Sequence, residues 1–218
     1  MTRISRISLA AAVVCTASLC LGADSGANAL DRFLTGLNTL SADFTQSVTD
    51  SHGEAAGAGS GRLLVQRPGK FRWDYTPREA GSKSGGQLLV ADGKNLWFYD
   101  RELAQVTVKP VEAALSATPI VLLSGSVAQL HDTFEISAAA PHDGMDWVEV
   151  RPRSAEADFN HAELGFTGGK LLRMVVNDRL GQTVQLDFQH SERNARVDAE
   201  ALRFKPPAGV DVIGTPQG

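Results

Sequence analysis

The sequence predicts a mainly β protein with a few short helices, built on one large curved or barrel-like antiparallel sheet. From Ala42 onward apolar residues recur with a period of two, in short segments broken by Gly, Asp and Asn turn signals. No helical spacer separates the strands inside either of two groups, so they run as an antiparallel meander rather than as parallel βαβ units. The chain has 218 residues, 43% of them hydrophobic, which suits one domain with a substantial core.

The opening "MTRISRISLAAAVVCTASLCLGA" places Arg3 and Arg6 before an apolar run from Ile7 to Leu21 and then small residues. That is the pattern of a secretory signal, read as residues 1–23, with 24–218 as a single domain. Gly22, Ala23 and Ala27 are all small-residue cleavage positions. The run is too short for a membrane span of ~20 residues. Cys15 follows Val14 and Cys20 follows Leu19. Neither has the small preceding residue of a lipid-bearing cysteine, so the mature protein is read as soluble, not membrane-anchored and monomeric.

Loss of the signal removes both cysteines, which leaves stability to packing and provides neither disulfides nor a thiolate metal site. Taking Arg3 and Arg6 from 21 basic residues leaves 19 against 25 acidic ones, a formal charge of −6. Nucleic-acid binding needs a basic footprint, and this balance argues against it.

In "NALDRFLTGLNTL" the residues Leu30, Phe33, Leu34, Leu37 and Leu40 recur at helical spacing, with Asn28 as a candidate N-cap and Gly36 inside the helix. The first strand group is expected at Asp43 to Thr49, Gly61 to Gln66, Lys70 to Tyr75, Gln87 to Ala91, Asn95 to Tyr99 and Leu103 to Lys109. "ADGKN" forms a hairpin turn on Asp92-Gly93. "HGEAAGAGSGR" and "EAGSKSGGQ" read as mobile Gly/Ser-rich loops.

The groups are divided by "KPVEAALSATPIVLLSGSVAQL", where Pro119 forbids one continuous helix and two short helical pieces are expected. Ile120, Val121, Leu122 and Leu123 leave almost no polar face, so this piece must be buried. The second strand group is expected at Thr133 to Ser137, Asp146 to Arg151, His161 to Phe166, Lys170 to Val176 and Gln182 to Phe188, with a short terminal strand around Leu202 to Phe204.

The chemistry-bearing side chains form no constellation. His52, His131, His142, His161 and His190 are far apart without the i,i+4 spacing of a helical zinc pair, and "GAGSGR" matches neither a nucleophile elbow nor a phosphate loop. Asp74, Asp92, Asp100 and Glu102 sit at strand ends and turns. No catalytic residue, metal or cofactor is assigned. In "KFRWDY", Phe71, Trp73 and Tyr75 share one face and Lys70, Arg72 and Asp74 the other. Trp97 and Tyr99 alternate with Leu96 and Phe98, leaving both faces of that strand apolar. These rings are read either as plain core or as the lining of a concavity beneath the helices.

"ADFTQ", "GRLLVQRPGKFRWDY", "VADGKNLWFYD", "LAQVTV", "TPIVLL" and "LRFKPPAGVDVI", in that order and spacing, resemble the LolA family of periplasmic outer-membrane lipoprotein carriers over essentially the whole mature chain. The resemblance implies an unclosed antiparallel half barrel with a lid of short helices over an apolar cavity. It also implies a non-enzymatic carrier in the periplasm, with acylated lipoprotein as cargo. An ATP-driven inner-membrane ABC-type complex would release the cargo, and an outer-membrane receptor would accept it.

Arg67 then matches the family arginine that hydrogen-bonds lid-helix carbonyls, a latch, and Phe71 matches an aromatic at the cavity mouth. Trp73, Tyr75, Trp97 and Tyr99 are assigned to the cavity or its mouth, and Leu34, Leu37, Ile120, Leu122 and Leu123 to the lid underside. The sequence departs from the family pattern in the long "REAGSKSGG" loop between Tyr75 and Gln87. A lipoprotein-sensing module on the same half barrel and a lipid-acting enzyme are the alternatives.

Overall fold

A computed structural model describes residues 26–78, 85–111 and 120–218. The signal segment, much of the long loop after Tyr75 and the first helical piece of the central break lie outside the described residues. Helix α1 spans Gly26–Leu34. Strands follow at β1 Thr39–Thr49, β2 Ala55–Gln66, β3 Lys70–Pro77, β4 Gln87–Asp92, β5 Asn95–Asp100 and β6 Gln105–Pro110. Two short helices, α2 Val121–Ser124 and α3 Val127–Thr133, precede β7 Phe134–His142, β8 Met145–Pro152, β9 Phe159–Thr167, β10 Lys170–Asp178 and β11 Thr183–Arg193. A 3-10 turn at Ala199–Leu202 and strand β12 Asp211–Ile213 complete the chain.

All these strands belong to one sheet in the order β12-β6-β5-β4-β3-β2-β1-β11-β10-β9-β8-β7. Every pairing among the described residues is antiparallel except β12 on β6. The two sequence groups meet at the β1–β11 seam, where Phe44 faces Phe188 and Gln46 faces Leu186. Strands β6 and β7 therefore stand toward opposite margins, and the connection between them has to cross the sheet. It crosses on the concave side, carrying α2, whose residues are all buried.

Alternation fixes two apolar layers. On the concave face Leu40, Ala42, Phe44, Leu63, Val65 and Phe71 join Ala162, Leu164, Met174, Leu186 and Phe188 in the main core, covered by α1 and α2. On the convex face Leu88, Val90, Trp97, Val106 and Val108 form a second cluster beneath Phe204 and Val210 of the C-terminal segment. Trp147 is also convex. It pairs with Gly165, so its parity is opposite to that of core residue Val148, and its indole donates to the His142 carbonyl at 3.0 Å.

Several boundaries differ from expectation for local reasons. Gly36 lies beyond the helix rather than inside it, with φ of +68°, a conformation suited to glycine at a helix end. Asn28 falls inside α1 and is not its cap. Leu103 is exposed in a turn, because the Asp100 carboxylate accepts the N–H groups of Glu102 and Leu103 at 3.0 Å and delays β6. The expected strand at Leu202 to Phe204 is replaced by a 3-10 turn capped by Asp198, and the terminal strand forms further on. "AAGAGSG" is strand rather than loop, paired with β1 from Ala55 onward.

The β4–β5 hairpin is built around Asp92. One carboxylate oxygen accepts the N–H groups of Lys94 and Asn95 at 2.9 and 2.8 Å, and the other accepts the Trp97 indole N–H at 2.8 Å. Burial alone would raise its pKa, but these donors outweigh it and hold the carboxyl below its usual range. The folded value is the lower one, so the stabilisation is complete above the unfolded pKa of about 3.9 and is lost as pH falls through the folded value. Asp92→Ala is expected to destabilise the fold by about 1–3 kcal/mol in urea unfolding at pH 7. The gap from wild type should shrink on acidification, and a gap constant down to pH ~2 would contradict this role.

Candidate functional site: a covered concave cavity

The concave core is not filled to its margin. A cavity of about 250 Å³ opens toward the rim that carries the ends of β1 and β3, lined by Gln46, Trp73, Leu89, Ile120, Met174, Val176, Val184 and Leu186. Strands on both sides of the seam and one residue ahead of α2 thus share one apolar pocket. Gln46 brings an amide, but no titratable side chain lines the cavity among the described residues. A larger depression of about 570 Å³ lies on the convex face, where Asp43, Arg62, Arg72 and Asp74 make it unsuited to an apolar guest. Among the described residues no group of His, Cys, Asp or Glu could hold a metal, and no helix is long and apolar enough to cross a membrane.

At the opposite end, one side chain fastens two helix ends. The last carbonyls of a helix lack partners within the helix. Arg67 Nη1 donates to Leu34 O at 2.6 Å and to Leu37 O at 3.3 Å. Its Nε and Nη2 donate to Gly125 O, just after α2, at 3.0 and 2.6 Å. Backbone bonds flank it: Arg67 N to Asn38 O at 2.8 Å and Gly69 N to Ser124 O at 2.9 Å. A planar guanidinium can bind two helix ends in this way because its five donors point in a fixed fork. Partial burial lowers its pKa, and a guanidinium remains a cation in a folded protein. Asp31 of α1 also meets His131 Nε2 of α3 at 3.1 Å, but on an exposed surface such a pair adds little.

The remaining candidates divide. Leu34, Leu37, Ile120, Leu122 and Leu123 are all buried in the concave core. Trp73 lines the cavity and stacks on Phe44 with centroids 3.8 Å apart. Tyr75 packs against the same core from the rim side. Phe71 is 2% exposed and does not border the cavity, so the mouth is not where it lies.

Trp97 and Tyr99 require correction. Pairing of Val90 with Trp97 puts both rings on the convex face, where Phe204 lies 5.6 and 6.0 Å away. Leu96 and Phe98 take the concave side of that strand. Residues missed from the sequence, Gln46, Leu89, Met174, Val176, Val184 and Leu186, lie on strands that were expected. Counting parity outward from Trp73 through β2 and β1 would have found Gln46. The β1–β11 pairing needed for the rest left no local signal.

Residues 35–205 match the family model described as outer membrane lipoprotein carrier protein LolA. An outer-membrane lipoprotein carrier protein of Dechloromonas aromatica (strain RCB) is 39% identical over 201 residues, covering 92% of this chain and 93% of that protein. Its namesake from Methylococcus capsulatus is 40% identical over 184 residues, covering 84% and 85%. A solved but uncharacterized conserved protein of Thermus thermophilus shares the fold at 18% identity with a TM-score of 0.50, covering 85% of this chain and 96% of that one.

If Arg67 holds the helix ends to β2, replacing it should loosen that end alone. Arg67→Leu is expected to speed amide exchange at position 67 and at Gly69 by ~tenfold or more, while amides within β9 and β10 keep wild-type protection. Equal protection at Gly69 in both proteins would show that the guanidinium bonds contribute nothing to closure.

Proposed function

The chain belongs to the LolA family of outer-membrane lipoprotein carrier proteins, and from that membership we propose how its fold carries cargo. The acyl chains of a lipoprotein occupy the concave cavity while the folded part of the cargo remains outside, and the complex crosses the periplasm. An inner-membrane ABC-type complex hands the cargo over, and an outer-membrane receptor takes it. The protein is a carrier and not an enzyme. The observation that supports this reading best is an apolar cavity, without a titratable lining residue among those described, beneath helices fastened through backbone carbonyls by one guanidinium.

Magnitudes favour a lid that opens. Each buried methylene gains about 0.8 kcal/mol, so even one long acyl chain amounts to on the order of 10 kcal/mol and cannot cross water unshielded. A cavity of about 250 Å³ is smaller than the ~300–1,000 Å³ that pockets for drug-sized ligands occupy, so loading requires the helices to lift. Hydrogen bonds from a charged donor contribute about 1.5–3 kcal/mol each, but bonds from one guanidinium that share acceptors do not add, so the Arg67 cluster is worth about a few kcal/mol in all.

Apolar transfer from one protein cavity to another is nearly neutral, because the chain is shielded in both. The latch energy then sets the direction of handover: closure of the Arg67 contacts favours the empty carrier and drives release. Protein isolated from the periplasm is expected to co-elute with intact acylated lipoprotein by mass spectrometry, whereas processed lipid without protein would point to an enzyme. Arg67→Leu should fold normally, be isolated with more lipoprotein bound and hand it over more slowly. Wild-type handover rates in that variant would sink the latch.

A further inference from the structure

The three tryptophans differ in what their indole N–H groups do. Trp97 Nε1 donates to the Asp92 carboxylate at 2.8 Å, and Trp147 Nε1 to the His142 carbonyl at 3.0 Å. Trp73 lines the concave cavity and stacks on Phe44 through its ring, but among the described residues its N–H has no hydrogen-bond partner. An indole N–H inside a protein ordinarily finds one. Gln46 brings the other polar group of the cavity wall, and its carboxamide is equally without a partner among the described residues.

Neither group is sealed in the core, because among the described residues no fully buried side-chain nitrogen or oxygen lacks a partner. Strand pairing sets the two residues at different depths. Gln46 pairs with Gly59, which pairs with Pro77 at the end of β3, so Gln46 stands at the rim. Trp73 precedes Pro77 by four residues on β3 and pairs with Leu63 of the core, which places it deeper.

An indole N–H only donates, whereas a carboxamide donates and accepts, so what both can bind is an acceptor. That acceptor has to be neutral, since no titratable side chain among the described residues lines the cavity to balance a carboxylate or a phosphate. It also has to be joined to apolar groups, because the rest of the wall is apolar, from Leu89 and Ile120 to Val184 and Leu186. The carbonyl oxygen that heads an acyl chain meets all three conditions. Apolar pockets commonly fix the orientation of a ligand with a few such polar groups.

We infer that Trp73 and Gln46 bind acyl carbonyl oxygens, Trp73 at the deeper position and Gln46 at the rim, and so distinguish an acyl chain from a plain alkyl chain. The inference rests on the carrier reading and deepens it by naming the specificity of the same cavity. Methylenes supply the affinity, and the two donors set the depth at which a chain head stops.

The test uses the full mature protein and two peptides that differ at one group. One carries S-palmitoyl cysteine and the other S-hexadecyl cysteine, in which a methylene replaces the carbonyl. Trp73→Phe keeps a ring to stack on Phe44, and Gln46→Leu keeps the side-chain size; thermal unfolding is the folding control. The ratio of affinities, palmitoyl over hexadecyl, is expected to fall ~threefold in each single variant and ~tenfold in the double variant, the range of one to two neutral hydrogen bonds. Any change in packing acts on both peptides alike and cancels in that ratio. With a ¹³C-labelled thioester, the carbonyl stretch should lie at lower frequency in the wild-type complex than in that of the double variant.

The same ratio in wild type and double variant would show that the two groups meet only water, and would overturn the inference. Failure of the wild-type protein to bind either peptide would instead bring down the carrier reading on which it stands.

Discussion

A sheet that curves without closing has an apolar concave face and no second sheet to bury it. In this chain the cover comes from short helices and from the connection that must cross between β6 and β7. Helices as short as Val121–Ser124 have almost no intrinsic stability, so they stay in place only by burial and by what holds their ends. Burial of Ile120, Val121, Leu122 and Leu123 supplies the first, and the Arg67 guanidinium supplies the second. Those bonds end on backbone carbonyls, so the contact holds no charged partner in the core.

The molecule separates its permanent packing from its adaptable packing. The convex cluster around Trp97 is sealed by the C-terminal segment, with Gln217 and Asn95 exchanging hydrogen bonds at 2.7 and 3.1 Å. The concave end near Arg67 is densely filled, with Leu63 and Val65 at 0% exposure. Toward the far rim packing thins out, at the cavity beside Trp73 and Gln46 and at Gly57 of β2. The Arg67 contacts and the cavity thus lie at opposite ends of the concave face, joined by the short segment from Ile120 to Gly125.

Much of this was legible in the residues. Period-two alternation located the strands, the unbroken "PIVLL" run required burial, and the order of the motifs carried the family resemblance. What failed did so for identifiable reasons. "LWFY" is apolar on both faces, and only the hairpin register with Val90 and the distant Phe204 decides that Trp97 is convex. "GAGSG" reads as a flexible loop by composition, because the rings that need its empty face come from Phe44 and Tyr75 on neighbouring strands. The β1–β11 seam joins residues as distant in the chain as Leu40 and Arg193, and no local pattern specifies it.

The central claim is that acyl chains enter the concave cavity and not the convex cluster, and the three tryptophans are placed to test it. Trp73 lines the cavity, whereas Trp97 and Trp147 lie on the convex side. Protein labelled uniformly with 5-fluorotryptophan should give three ¹⁹F resonances, assigned by single Trp→Phe substitutions. Addition of a palmitoylated peptide with a nitroxide on its acyl chain should broaden the Trp73 resonance most strongly of the three. Broadening of Trp97 or Trp147 with Trp73 unaffected would contradict the account.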